Sequence, residues 1–343
     1  MSRLRLVPLL AVLLVAGLFV PASGGSPDRS RAPEVERERD TPGAVTGFAL
    51  GSAYDRLVRR NAHALTTLTV AGIGITPDGG GVAAPDRDLR RLLGTAHEEG
   101  LRAELLLSNY SNALEAFDPR AAARLLSSPA RTDRVARRVA GFVRRQGWDG
   151  VNVDLERVRK ADADGLVRLL RRLQELMPPK RTVSIDVSAS TSLKAYRAHG
   201  YRLRAIGRTA DVVVLMAYDM HGPTWSEPGP IGPLKWQRQA IAAARGAVPA
   251  DRLDLGVAGY GYSWPRESTG RSLTVAAARR LVKTDGARAV WHEAYGEWSA
   301  RLSNGTVLWW SDDRSWQLRT ELAASRGLHG LALWRLGSAD MLP

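Results

Sequence analysis

The sequence predicts an α/β fold, a (β/α)8 TIM barrel with a small α+β insertion between strand 7 and strand 8. Three observations carry this reading. From residue 45 onward, short apolar runs alternate with amphipathic stretches, as repeated strand–helix units do. The roughly 300 residues beyond position 44 suit one barrel, which commonly takes about 250. No glycine-rich dinucleotide loop follows the first strand, and this weighs against a doubly wound open sheet, the alternative.

Taken in order, residues 1–24 read as a secretory signal. Arg3 and Arg5 form the basic start, residues 6–20 the apolar core, and Ala22, Ser23 and Gly24 a small-residue cleavage site. An uncleaved membrane anchor is the alternative, because about 15 apolar residues are short for a full span. No cysteine follows the apolar core, so a lipid-modified anchor is excluded. Residues 25–44 are charged, proline-containing and without apolar periodicity, the composition of a disordered linker. The barrel then takes residues 45–343.

Candidate strands are 45–50, 65–73, 102–107, 150–155, 182–187, 212–217, 253–258 and 328–334. Helical candidates between them include 86–99, 132–146, 161–176, 201–207, 235–244 and 315–325. About 70 residues separate strands 7 and 8, too many for one loop and one helix. Within them, 273–283 reads as a helix and 289–291, 297–301 and 307–310 as short strands, with Asn304-Gly305 as a hairpin turn. This insertion is expected to wall one side of the barrel mouth. Of the ten tryptophans only Trp148 precedes Trp225, so aromatic faces concentrate where the insertion lies. Some suit hairpin core and others suit stacking on sugar rings.

Composition narrows the chemistry. The chain has 343 residues, 44% of them hydrophobic and 24% charged, as in an ordinary globular protein. It has no cysteine, and its six histidines are scattered singly, so no thiolate site or histidine pair for a metal is expected. No cofactor is expected either. A formal charge of +14 favours polyanions such as an acidic cell wall, nucleic acid or anionic lipid. The basic residues run along helix-like stretches such as 131–145 and 168–172 instead of one cluster, and no nucleic-acid motif accompanies them. Solvated helix faces account for them equally well.

The chemistry concentrates in residues 148–156 (WDGVNVDLE). Alternation puts Val151, Val153 and Leu155 on one face and Asn152, Asp154 and Glu156 on the other. Two carboxyls and an amide on the inner face of an apolar strand are costly unless compensated, and catalysis gives a reason to crowd them. Functional groups in such barrels sit at the carboxyl ends of strands. Strand 6 ends in Met216, Ala217, Tyr218 and Asp219, and strand 8 in Trp334 and Arg335. A carboxyl pair, a tyrosine hydroxyl and a tryptophan floor suit glycoside cleavage. Asp154 and Glu156 come from the same side, however, so neither can be the opposing nucleophile of an ordinary retaining glycosidase. The substrate's own 2-acetamido oxygen is the natural attacking group.

Residues 149–156 (DGVNVDLE) resemble the strand-4 signature of glycoside hydrolase family 18, the chitinase-like (β/α)8 barrels. Residues 216–219 (MAYD) are similar to its strand-6 motif and Trp334 to its strand-8 tryptophan. Residues 105–112 (LLLSNYSN), 221–230 (HGPTWSEPGP) and 253–264 (LDLGVAGYGYSW) resemble the branch of bacterial spore-cortex and peptidoglycan N-acetylglucosaminidases. The resemblance covers nearly everything after the linker. It implies Glu156 as general acid and later base, and Asp154 as the group that orients the acetamide and stabilises the oxazolinium intermediate. Tyr218 would hydrogen-bond the acetamide carbonyl, Asp219 would help fix the sugar, and Trp334, with Met216 beside it, would floor the subsite. Asn109 and Glu227 are further candidates for saccharide contact.

The implied activity is secreted, extracytoplasmic hydrolysis of β-linked N-acetylglucosamine bonds with retention, on peptidoglycan or chitin-type glycans. Asn152 stands where many chitinases carry an aspartate that shares a proton with Asp154; an asparagine can hydrogen-bond Asp154 but cannot take that proton. This favours the peptidoglycan-directed branch. Asp186 shares the parity of Ser184 and Ser188, which makes it a further inward carboxylate or the partner of a buried arginine; it is given no catalytic role. A catalytically silent saccharide-binding envelope protein on the same barrel is the alternative function. A nucleic-acid or membrane binder rests on charge alone.

Overall fold

The computed structural model describes residues 43–343. The signal at 1–24 and nearly all of the linker at 25–44 lie outside the described residues. Ala44, assigned to the linker, already opens the first strand. Eight parallel strands close into a barrel: β1 (Ala44–Leu50), β2 (Thr67–Gly74), β3 (Arg102–Ser108), β4 (Gly150–Asp154), β5 (Thr182–Ser188), β6 (Val212–Met216), β7 (Leu253–Ala258) and β8 (Gly330–Trp334). Each pairs with its sequence neighbours, and β8 closes on β1 with Val45 opposite Leu331. All eight coincide with the expected strands to within two residues at either end.

Period-2 alternation sorts the strands into two environments. Outward residues such as Leu68, Leu105, Val151, Ile185, Leu215 and Leu331 are fully buried under the surrounding helices and form the main core. The inward residues are unusually polar: Thr69, Glu104, Asn152, Asp154, Ser184, Asp186 and Asp254 are all buried. A small apolar layer of Phe48, Leu106, Val214 and Ala332 lies among them. Apolar burial therefore stabilises the barrel from outside, while its lumen carries the chemistry.

Helix boundaries follow their caps. The helix Arg87–Glu98 starts where the Asp86 side chain accepts from the Leu89 N–H at 2.9 Å. The helix expected over 132–146 begins earlier, at Pro129, because Ser128 caps it and proline fits the first helical position. Gly147 ends it in the left-handed conformation, at φ +87°. The helix Pro119–Ser127 has no counterpart in the expected elements. Its start is written in Asp118-Pro119, with the Asp118 side chain accepting from Arg120 and Ala121.

The segment between β7 and β8 folds as one antiparallel five-stranded sheet and a helix, Val275–Asp285, followed by the barrel helix Asp313–Ser325. The sheet order is Ser272–Leu273, Gly261–Trp264, Val307–Trp310, Glu297–Arg301, Val290–His292. Two of its strands, Gly261–Trp264 and Ser272–Leu273, go beyond the expected three. The helix starts two residues later than expected because Leu273 pairs with Gly261 and Thr274 is the cap. The turn at Asn304-Gly305 is a hairpin between Arg301 and Val307, with Gly305 at φ +81°. One face of the sheet packs on the helix through Leu273, Ala278, Leu308 and Trp310. The other presents Tyr260, Tyr262, Trp264 and Trp309 toward Tyr218 and Trp334 at the barrel mouth.

Candidate active site

The carboxyl end of β4 is held by its neighbour β3. Asn109, one residue past β3, accepts from the Glu156 N–H at 2.8 Å and donates to the Glu156 carbonyl at 3.0 Å. Its amide also donates to the Asp118 carbonyl at 3.0 Å, and the residue is 1% exposed. The saccharide contact expected of Asn109 therefore gives way to another job: it clamps the backbone that presents Glu156. Glu156 itself is half-buried.

Asp154, 7% exposed, points into the lumen and accepts from the Ser108 hydroxyl at 3.3 Å. Burial pushes its carboxyl up to about 7, against the Ser108 hydrogen bond. Burial likewise pushes Glu156 well above the ordinary glutamate range, reinforced by the charges of Asp154 and Asp219 and opposed by Arg157. A raised proton affinity is what a glutamate needs to act as a general acid near neutral pH.

Asn152 does not bond Asp154. Its amide donates instead to Asp186 Oδ1 at 2.9 Å and to the Ser184 hydroxyl at 3.1 Å. Ser184 in turn donates to Glu104 at 2.6 Å, and Glu104 also accepts from Thr182 at 2.5 Å. Asp186 is thus an inward carboxyl, and its side-chain partner is Asn152, not the buried arginine weighed as the alternative. Lower still, Asp254 accepts from His329 at 2.7 Å; that hydrogen bond raises the histidine's proton affinity.

Across the mouth, Met216, Tyr218 and Asp219 leave β6 half-buried. Asp219, in the left-handed region at φ +61°, accepts from the Tyr260 hydroxyl and from the Tyr262 hydroxyl, the latter at 2.8 Å. Tyr262 belongs to the inserted sheet and Tyr260 immediately precedes its strand Gly261–Trp264, so the insertion fixes Asp219. Sequence reasoning missed them, although their alternation in 260–264 was a readable strand signal. Tyr218 meets the Tyr260 ring edge-on at 6.3 Å. Burial and the charges of Asp186, Asp219, Asp154 and Glu156 hold its hydroxyl well above the ordinary tyrosine value, so it is a donor at any working pH. Trp334 lies half-buried against Phe48 at 5.6 Å. Glu227 is exposed in the loop after β6, beside Trp225, which is 43% exposed and packs edge-on against Tyr262.

Glu156, Asp154, Tyr218, Asp219, Met216 and Trp334 therefore rim one opening at the carboxyl ends of β4, β6 and β8. Asn152 lies beneath it, Asn109 behind it and Glu227 outside it. Asp312, Asp313 and Asp340 come close enough for a cation elsewhere, but Arg279 reaches all three at 2.7–3.2 Å.

The chain is 22% identical over 315 residues to the uncharacterized glycosylase YvbX of Bacillus subtilis (strain 168), covering 88% of this chain and 89% of the relative. It is 23% identical over 320 residues to the cortical fragment-lytic enzyme of the same organism, covering 89% of this chain and 72% of that one. The crystal structure of a chitinase from Chromobacterium violaceum ATCC 12472 superposes with a TM-score of 0.78 at 25% identity, covering 87% of this chain and 95% of that one. The model of "Glycosyl hydrolases family 18" matches residues 108–340, which span β3's last residue to the chain's final turn. By that match, the chain belongs to glycosyl hydrolase family 18 and is a glycosidase.

Proposed function

We propose that this glycosidase cleaves β-linked N-acetylglucosamine bonds with retention, the substrate's acetamido oxygen acting as nucleophile, and that its polymer is peptidoglycan. Family membership supports action on N-acetylglucosamine-containing glycans. The observation that carries the mechanism is the placement of Asp154 and Glu156 two residues apart on one strand end, both with raised proton affinity. Glu156 donates its proton to the leaving oxygen. The acetamido oxygen then closes on the anomeric carbon, with Asp154 against the acetamide N–H as positive charge develops there and Tyr218 steadying the carbonyl. Glu156, now ionised, takes a proton from the water that opens the ring. Trp334 supplies the apolar floor under the distorted sugar, and Asp219, held by two tyrosines, hydrogen-bonds it.

The preference for peptidoglycan is supported by Asn152 and by the likeness to a cortical fragment-lytic enzyme. An anionic wall also suits the basic surface. A concavity of about 510 Å³ between the helices Ala163–Leu176 and Leu203–Thr209 is lined by five arginines and two acids: Arg202 pairs with Asp164 and Arg172 with Glu175, which leaves Arg168, Arg171 and Arg208 as its excess positive charge. Action outside the cytoplasm is supported by the signal-like residues 1–24.

The test is hydrolysis of peptidoglycan fragments and chitin oligomers by the wild-type chain and by Glu156→Gln, with products followed by mass and by the anomer first released. Wild type should release the β-anomer first. Glu156→Gln should lose about 10²–10⁴-fold in kcat while still binding oligomers. Rapid cleavage of a fully deacetylated polymer would sink the mechanism.

A further inference from the structure

The lumen beneath the active site holds more carboxyls than it can keep ionised. Extending the β4–β5 register (Asn152 opposite Ser184, Val153 opposite Ile185) by one residue sets Asp186 beside Asp154 on the inward face, about 5 Å away along the sheet. Asp186 is 4% exposed. The ionisable groups that act on it are Asp154 and Glu156 from β4, Glu104 from β3 and Tyr218 from β6. Every one is acidic, and among the described residues no lysine or arginine hydrogen-bonds or pairs with Asp186, whose partner is Asn152. Two neighbouring buried carboxylates cannot both remain charged at that spacing without a cation.

The hydrogen bonds point to where the proton stays. Asp154 Oδ1 and Asn152 Oδ1 are buried acceptors without a donor. Both amide protons of Asn152 are already used, on Asp186 Oδ1 and Ser184. Ser184 and Thr182 give their protons to Glu104, opposing the upward push of burial on that carboxyl, and Ser108 gives its proton to Asp154 Oδ2. A protonated Asp186 supplies the missing donor. An ionised Asp186 would leave a bare acceptor facing another anion.

We infer that Asp186 is a positioning residue: a carboxyl that stays neutral through the working pH range and donates its proton in a hydrogen bond to ionised Asp154. Asn152 orients it from the other side. Burial and the charge of Asp154 both raise its proton affinity well above that of a free aspartate. Asp154 can then carry its charge into the step where positive charge develops on the substrate, without a second anion beside it. The link to turnover rests on the proposed role of Asp154, whereas the proton on Asp186 does not.

Two measurements on the full chain test this separately. With carboxyl-¹³C-labelled aspartate, the resonance that vanishes in Asp186→Asn should stay at its protonated position through pH 7. Its titration in the ordinary aspartate range would overturn the inference. In pH–kcat profiles on a chitin oligomer, Asp186→Asn replaces a neutral donor by a neutral donor, and both limbs should move by less than about half a unit. Asp186→Ala removes the donor and should raise the acid limb by about one unit. If Asp186 were ionised, Asp186→Asn would remove an anion and lower both limbs by about one unit or more, overturning the inference. Failure of Asp186→Asn to fold would also overturn it, since a neutral-for-neutral exchange should be tolerated. Absence of turnover in the wild type would defeat the hydrolase mechanism, and the ¹³C titration would then decide Asp186 alone.

Discussion

Asn109 gives the sharpest test of how the site is held. Replacing it by alanine removes three hydrogen bonds of 2.8–3.0 Å from a site that is 1% exposed. It leaves the Glu156 N–H and the Glu156 carbonyl without their partner, while the Asp118 carbonyl keeps the Ala122 N–H at 3.2 Å. At about 1 kcal/mol net per bond, plus the penalty for a buried orphan donor, the loss is about 3–5 kcal/mol. Roughly 300 folded residues unfold with about 0.6 kcal/mol/K of entropy at the midpoint, so Tm should fall by about 5–8 °C. Freed of its clamp, Glu156 shifts relative to the scissile bond, and a displacement of about 1 Å costs about 10²-fold in kcat. Asn109→Asp separates the two effects. An ionised carboxylate still accepts from the Glu156 N–H but cannot donate to either carbonyl. Its charge beside Glu156 should move the alkaline limb of the kcat profile to higher pH. The assays are thermal unfolding by circular dichroism and steady-state hydrolysis of a chitin oligomer. An Asn109→Ala chain with kcat within about twofold of wild type and Tm within about 1 °C would refute the clamp.

Three further outcomes follow from the same structure. Arg319 and Glu297 form a buried pair at 3.4 Å that also bonds the backbone of Gly232, Ile231, Tyr295 and Gly296, tying the insertion to the loop after β6. Arg319→Met should cost about 3–5 kcal/mol by leaving the Glu297 charge uncompensated, and a loss under about 1 kcal/mol in urea unfolding would contradict this. Asp154, raised from 3.8 to about 7 in the folded state, binds its proton more tightly folded than unfolded. Its stabilising contribution is complete below pH 3.8 and disappears as pH rises through 7, a change of at most about 4 kcal/mol. Asp154→Asn should therefore flatten the fall of Tm between pH 5 and pH 8; parallel curves for the two chains would count against it. A Cβ added at Gly256 would lie 2.6 Å from the Leu215 carbonyl and 3.1 Å from the Tyr218 ring. Gly256→Ala should thus cost about 1–3 kcal/mol and raise KM, and an unchanged KM would show that the Tyr218 ring has room to move.

Much of this was legible in the sequence because strand alternation has a fixed period. That period alone put Asn152 and Asp154 on the inward face and placed Glu156, Tyr218, Asp219 and Trp334 at strand ends. Spacing alone exposed an insertion after strand 7. Caps were legible but went unused: Asp118-Pro119 and Ser128-Pro129 state two helix starts, of which one was missed and the other placed three residues late. The two extra strands of the inserted sheet, Gly261–Trp264 and Ser272–Leu273, are short, and each depends on a partner for its existence.

What only the tertiary structure decided is who bonds whom across strands. Periodicity assigns a side chain to a face, but its partner depends on register with a strand 30 to 80 residues away. Asn152 therefore reaches Asp186 and Ser184 on β5 instead of Asp154 on its own strand, and Asn109 turns from the cleft to the Glu156 backbone. Tyr260 and Tyr262 could be assigned to Asp219 only once the inserted sheet had been laid against the mouth. The sequence by itself determined which groups enter the lumen and which chemistry they share. The closed barrel set their proton affinities, because those depend on burial and on neighbours brought together only when the eighth strand meets the first.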